Sequence, residues 1–467
     1  MSTRGSHLSH VASVAALFAV LVLVGRTSWA DTPLDVLQRT YAPYTDPNDD
    51  LAFPLKVKSL TASPYKFWRG AKDLFFAWAK TNAGDWLASR ESFVASHADL
   101  HLGNIGSYPS DHGWGELAFG MVDFDDAAVL PFQIELLQGA VTLRLVASEN
   151  SVAVDDANLR ELTDRMIDAY VGALRRDETA TELLRASRDA WAIELLDPGE
   201  RAPYERELAK YAPDGKFVGS IHNKKGRLTE ILRPVTEDAR KEQLAGAIAE
   251  AIAHAPPEMR ERFRLREASA VRAAMKVVSL RTRLGSSGSQ GLHKYLVLLE
   301  HPLNGIEHDA IVYLKQQVPS AAERAGVVAR DPRPAAERSA TLALQLTAPR
   351  PFFMSWGGTS GDESFLVTVK EPWSDELDPD DVKSPDDLRH AADLWGAVAG
   401  PAHRAAGANV DTTVAAITPA LRDLIDQRSR AYAAQVARDF EAFRSDERVK
   451  ALCDRADAAV RSIERAK

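Results

Sequence analysis

Two chemically loaded stretches lie far apart in this chain, and a fold that uses both must close the chain back on itself. The first is His97-Ala98-Asp99-Leu100-His101-Leu102-Gly103-Asn104, followed by Met121-Val122-Asp123-Phe124-Asp125-Asp126. The second is Gly285-Ser286-Ser287-Gly288-Ser289-Gln290-Gly291, followed by Lys315 at the end of an apolar run. An acid, an amide five residues on and an acidic pair soon after are the carboxylate and amide content of a phosphoryl-transfer site. Glycines between strands let backbone N–H groups approach phosphates, and a strand lysine can bind them. Here the acidic part comes first and the gripping part nearly two hundred residues later.

The residue types suggest roles. Asp99 would orient an attacking hydroxyl and accept its proton, while the Asn104 oxygen reaches a metal. Asp123, 19 residues beyond Asn104, is the natural carboxylate for the same ion, with Asp125 as a further ligand and Asp126 beside it. Mg2+ suits this set, because it takes few hard oxygen ligands and completes its octahedron with phosphate and water. The plainer alternative is a solvated acidic turn with a buried histidine. His97 and His101 read as hydrogen-bonded structural histidines, since a pair four apart normally binds metal from a helix and this stretch is a loop. Lys315 needs an acidic partner, for which Glu323 and Glu337 are candidates; the alternative is an edge-strand lysine whose head reaches solvent.

Periodicity gives the organisation. Arg4, an apolar stretch from Val11 to Val24 and then Ser28-Trp29-Ala30 have the form of an export signal cleaved after Ala30. The expected location is therefore the periplasm or the medium. Residues 31–62 are rich in Pro and Asp and are expected to be irregular. Helical spacing covers about 71–88, 132–148, 156–176, 178–195, 203–211 and 236–254, with strands at 93–96 and 117–122 between the first two. Strand-like runs follow at 276–280, 295–299, 310–314, 352–356 and 365–369, with helices at 319–329 and 334–345. The remainder, 385–406 and 411–466, is helical. The expected division is 1–30 signal, 31–260 helical lobe carrying the acidic loops, 261–375 β-rich lobe, and 376–467 helices packing on the helical lobe.

Composition removes several classes. A net charge of −9 and a pI near 5.8 argue against a nucleic-acid binder, which needs a basic surface. The single cysteine, Cys453, excludes an intramolecular disulfide and a cysteine metal cage. No run after the signal is long and apolar enough to span a bilayer.

Four segments carry a family resemblance. They are Ser63-Pro64-Tyr65-Lys66-Phe67-Trp68-Arg69-Gly70, Asp99 to Gly106, Asp123-Phe124-Asp125-Asp126-Ala127 with Pro131-Phe132, and Leu284 to Gly288 with Leu314-Lys315. In these the chain resembles DUF2252, a family of uncharacterised bacterial proteins, and its motifs look like those of aminoglycoside- and choline-kinase-type phosphotransferases with the lobes exchanged in order. The resemblance implies an α+β, two-lobed, kinase-like fold, circularly permuted, with a largely helical larger lobe and a small antiparallel sheet lobe. It implies Asp99 as the catalytic base, Asn104, Asp123 and Asp125 on Mg2+, and Gly285, Ser286, Ser287, Gly288 and Lys315 on ATP or another nucleotide. The acceptor would be an unknown hydroxyl-bearing molecule. Ala98 stands where the family usually has glycine, and Gln316 stands where an acid is typical. Arg69 matches the family and either meets a phosphate or braces the loop. Export argues against a plain ATP-dependent kinase, because ATP is scarce outside the cytoplasm. The alternatives are a non-catalytic ligand- or partner-binding protein of the envelope, and a metal-dependent hydrolase using Asp99, His101, Asp123 and Asp125.

Overall fold

The computed structural model describes residues 31–45, 51–187, 189, 191–197, 203–222, 228–283, 291–300, 309–359 and 363–465. The apolar N-terminal stretch and Gly285, Ser286, Ser287 and Gly288 lie outside them. Helices and antiparallel sheets make up the molecule, around two main apolar cores.

The strands in chain order are β1 (Phe93–Ser96), β2 (Ile105–Pro109), β3 (Leu117–Met121), β4 (Ala128–Pro131), β5 (Ser220–His222), β6 (Leu228–Pro234), β7 (Met275–Arg283), β8 (Lys294–Leu299), β9 (Ala310–Gln317), β10 (Met354–Gly358), β11 (Ser364–Val369) and β12 (Asp375–Glu376). Seven of them form one antiparallel sheet in the order β10-β11-β9-β8-β7-β6-β5. Its strands are buried on alternate or both faces, and the Asp238–His254 helix covers it with Leu244, Ile248 and Ile252. β9 lies inside this sheet, with Lys315 opposite Lys294 of β8 and Leu366 of β11. Lys315 is therefore not an edge-strand residue.

The first core gathers the helices on both sides of the sheet segment in sequence. Pro385–Ala405 lies along Asp156–Leu174, and Pro419–Ser445 packs on Phe132–Glu149. After β11 the chain returns to this helical body through β12, which adds to β2 and β3 as a three-stranded sheet. Gly106 makes that return possible: a Cβ there would meet the Asp375 carbonyl oxygen at 2.1 Å.

Three expectations are corrected. Residues 31–62 hold two helices, Pro33–Thr40 and Ala52–Leu60, because Thr32 and Asp35 form a capping box ahead of Pro33 and because Leu34, Leu37, Val57 and Leu60 reach the core. The division at residue 260 falls inside the sheet body: β5, β6 and Asp238–His254 belong to it, since a strand's pairing partner is invisible to local periodicity. The helix expected over 319–329 shrinks to Ala321–Arg324, closed by Gly326 at φ +66°.

Arg144 ties the Phe132–Glu149 helix to Pro419–Ser445, the longest helix of the helical body. It pairs with Asp426, and its Nε donates to Ser429 Oγ at 2.9 Å. All three side chains are buried. Arg144→Ala would strand the Asp426 carboxylate, with only Arg430 at 3.6 Å and Arg160 at 4.0 Å left to it. The expected cost in urea unfolding is about 3 kcal/mol, the lower end for breaking a buried pair.

Candidate active site

The Asp99 loop is built around one backbone oddity. β1 ends at Ser96, and Ala98 takes φ 63°, the left-handed region that disfavours a residue with a Cβ. Both sides of that peptide are clamped by the Phe132–Glu149 helix. Ala98 N–H donates to Glu135 Oε1 at 3.1 Å, and Gln138 Nε2 donates to the Ala98 carbonyl at 2.7 Å. Glu135 is in turn held by His403 Nε2 at 2.6 Å, and Tyr170 Oη lies 2.9 Å from His403 Nδ1. Trp395 Nε1 donates to the Leu100 carbonyl at 3.0 Å. The turn therefore rests on a buried polar network drawn from three helices.

That geometry fixes the motif residues. His97 Nδ1 accepts from the Asp99 amide at 3.3 Å and Nε2 faces the Val122 carbonyl at 2.7 Å, so the ring bridges the two acidic loops. Asn104 is buried and donates Nδ2 to the Asp99 carbonyl at 2.9 Å, leaving Oδ1 without a partner among the described residues. Its own carbonyl accepts from Val122 N–H at 3.0 Å, just before Asp123. Asp123 also has a left-handed φ, 64°.

Lys315 reaches this second loop from β9. Its Nζ donates to Asp123 Oδ1 at 2.5 Å and lies 2.6 Å from Asp125 Oδ2. Gln317 Nε2 donates to Asp125 Oδ1 at 2.8 Å, and Arg338 donates to the Asp125 carbonyl at 2.7 Å. Asp126 accepts from Ala321 N–H at 2.7 Å and so satisfies the first amide of the Ala321–Arg324 helix. Burial would push the Asp123 carboxyl up, but Lys315 outweighs it and holds it at about 2. Burial raises Asp125, which also feels the Asp123 charge. Burial would likewise lower Lys315, yet the two carboxylates keep it well above the usual lysine range. Neither Glu323 nor Glu337 pairs with Lys315. Glu323 accepts from Arg338 at 2.5 Å and completes the Ser320 capping box.

Lys72 completes the Asp99 side. It is buried, sits 3.6 Å from the Trp68 ring centre, and makes an ion pair with Asp99. Burial raises the Asp99 carboxyl to about 6 despite that ammonium. Burial also lowers Lys72, against the pull of Asp99. Sequence reasoning missed Lys72, although a signal existed. In the helix Lys72–Asn82 it falls in register with Phe75, Phe76 and Ala79, a charge on the core face. Arg324 was missed too; it grips Asp73 with two hydrogen bonds, at 2.8 and 3.1 Å.

Asp99, Asp123, Asp125, Lys72, Arg69 and Arg324 line one polar cavity, which Leu292 closes from the described end of the glycine turn. Asp123 also borders a second cavity walled by Trp114, Met121, Phe352, Phe353 and Met354. Asp123 thus stands between a charged chamber and an aromatic one. Among the described residues no group of three or more His, Cys, Asp and Glu side chains forms a metal cage. His101 Nε2 accepts from Arg69 Nε at 2.9 Å. Among the described residues, no helix is long and apolar enough to cross a membrane.

Residues 49–446 match the model of a family described as an uncharacterized protein conserved in bacteria, DUF2252. No curated protein and no solved structure matches the chain.

Ala98→Gly should relieve the left-handed turn. The relief of about 1–2 kcal/mol exceeds the entropic cost of a new glycine, about 0.5–1 kcal/mol. A gain of roughly 0.5–1 kcal/mol in urea-unfolding stability is expected; a loss would show that the Ala98 methyl contributes packing larger than the strain.

Proposed function

The chain belongs to the DUF2252 family, and from that premise we propose a magnesium-dependent phosphotransferase, kinase-like with its lobes in permuted order, acting on a hydroxyl-bearing acceptor. One observation carries this reading: Lys315 and the acidic loop, 192 residues apart, meet at 2.5 Å, and that loop lines one cavity with Asp99.

In this reading Asp99 accepts the proton of the acceptor hydroxyl, while Lys72 fixes its carboxylate and stabilises its ionised form. The new bond forms between the acceptor oxygen and the terminal phosphorus, and the bridging P–O bond breaks, its electrons leaving on the diphosphate. Lys315 and the backbone of 285–288 hold the donor's phosphates. The aromatic cavity beside Asp123 takes a nucleobase, a flat ring among Trp114, Phe352 and Phe353. The free Asn104 Oδ1, Asp123 and Asp125 offer the hard oxygens that suit Mg2+, with phosphate and water as the remaining ligands. A bound Mg2+ would supply charge neutralisation at the phosphates. Lys315 now neutralises both carboxylates, so ligand entry amounts to an exchange of partners: carboxylates to metal, ammonium to phosphate. Export by residues 1–30 belongs to the same proposal and requires a phosphoryl donor outside the cytoplasm.

A non-catalytic binding protein is the second reading, favoured because the Lys315 ion pairs close the site upon themselves. Thermal shift separates the two. ATP, ADP or GTP with Mg2+ should stabilise the full chain, by about 2.7 kcal/mol at a hundredfold excess over Kd, and metal alone much less. A flat response to all three refutes the transferase.

Asp99→Asn and Asp123→Ala should each lower turnover by about 10²–10⁴-fold or more while the circular dichroism spectrum stays native. Undiminished turnover in either removes that residue from the mechanism. A base must be ionised to accept a proton, and Asp99 is raised to about 6 by burial. The rate should therefore fall about tenfold per unit as pH drops below 6 and level off above it. A profile flat from pH 5 to 7 would assign the proton to another group.

A further inference from the structure

We propose that the acceptor carries an oxyanion, a phosphate or carboxylate, and that the Arg69 guanidinium binds it beside Asp99. The word acceptor rests on the transferase reading; the oxyanion site does not.

Arg69 is a cation at this cavity with uncommitted donors. Among the other cations there, Lys72 is paired with Asp99, Arg324 with Asp73, and Lys56 lies over the Tyr41 ring; Lys315, behind the wall, pairs with Asp123 and Asp125. Among the described residues Arg69 has no ion pair; its guanidinium lies over the Tyr65 ring, 5.8 Å from the centre, and only its inner nitrogen is hydrogen-bonded. Nε donates to His101 Nε2 at 2.9 Å, while the two terminal nitrogens have no partner among the described residues.

The rest of the side chain is held with care. His101 is fully buried, and burial together with Arg69 and Lys72 keeps its ring neutral. Its Nδ1 is buried with no hydrogen-bond partner among the described residues, an unfavourable arrangement that a purely structural histidine would avoid. The compensation is a fixed guanidinium: a neutral ring accepts from Nε and points the outer fork away from itself. Gly103 provides the floor. A Cβ there would lie 3.3 Å from one terminal nitrogen and 3.4 Å from the other, so the guanidinium rests flat against a bare backbone. A planar fork with two parallel donors, oriented in advance, matches a carboxylate or phosphate edge. The fork, Asp99 and Lys72 share the cavity. An oxyanion on Arg69 would thus place a neighbouring hydroxyl of the same molecule toward Asp99.

The test is thermal-shift and equilibrium titration of the full chain with sodium phosphate and with sodium succinate, at constant ionic strength set by chloride. Phosphate, succinate or both should stabilise the wild type in a saturable way, and the better of the two names the acceptor's anion. Arg69→Gln should weaken that binding by about ten- to a hundredfold. Gly103→Ala keeps the charge but lifts the fork, and should weaken it as well. Both variants should retain Mg-nucleotide binding, which Lys315→Ala should remove. Anion binding that survives Arg69→Gln overturns the proposal. So does binding lost only in Lys315→Ala, which would put the anion at the donor's end, and so does a wild type that neither anion stabilises. If Arg69→Gln fails to fold, Gly103→Ala carries the comparison. Phosphate binding at Arg69 with no nucleotide binding would sink the transferase and leave the oxyanion site standing.

Discussion

The ammonium of Lys315 between the Asp123 and Asp125 carboxylates is the constraint on which the molecule's arrangement turns. Two carboxylates two residues apart on a partly buried loop repel one another strongly unless a cation lies between them. The cation comes from an interior strand of the other body, so charge neutralisation and interlobe contact are one event. Gln317, Arg338 and the Ala321 amide bind the same loop. The acidic loop thereby has several anchors besides Asp123, through Asp125 and Asp126, as well as being a candidate site.

A second constraint concerns the backbone. Ala98 and Asp123 are both left-handed, and both sit beside the carboxylates expected to do chemistry. Strain of this kind persists only where the surroundings over-determine it. For Ala98 those surroundings are Glu135, Gln138 and His403, a hydrogen-bonded chain in the protein interior. His97 then couples the two loops through the Val122 carbonyl. The positions of Asp99 and Asp123 relative to one another are therefore set by buried hydrogen bonds rather than by exposed loops, which is what preorganised charge requires.

Much of this was legible in the sequence, and the reasons differ by element. The long helices at 132–148, 156–176 and 385–406 stood out because a 3.6-residue apolar period is a local signal. The spacing of Asp99, Asn104 and Asp123 was legible because motif chemistry fixes intervals along one chain. Partnership was not. Glu323 looked like an acid for Lys315 by proximity in sequence, but helix capping and Arg338 claim it. β5 and β6 seemed to belong to the helical region because sheet membership is decided by strands 50 to 140 residues away. The N-terminal helices were hidden by Pro and Asp, which read as breakers until Pro33 and Asp35 are placed at a helix start. Lys72 and Arg69 lay within or next to a noticed segment, but only the fold shows that one faces Trp68 and Asp99 while the other keeps free donors.

The cavity's charges make a final point about how such a site stays folded without its ligands. Burying an isolated ion costs far more than any single contact returns, so the charged chamber is tolerable only if it is neutral by internal pairing. Lys72 with Asp99 and Arg324 with Asp73 join elements packed on the first core, while Lys315 with Asp123 and Asp125 ties the seven-stranded sheet to it. An incoming ligand of mixed charge can replace the bridging pairs without leaving a bare ion, whereas a neutral ligand cannot. In the proposed reading the pocket therefore selects for charged ligands before any shape is considered, and it does so with the same ion pairs that hold its walls together.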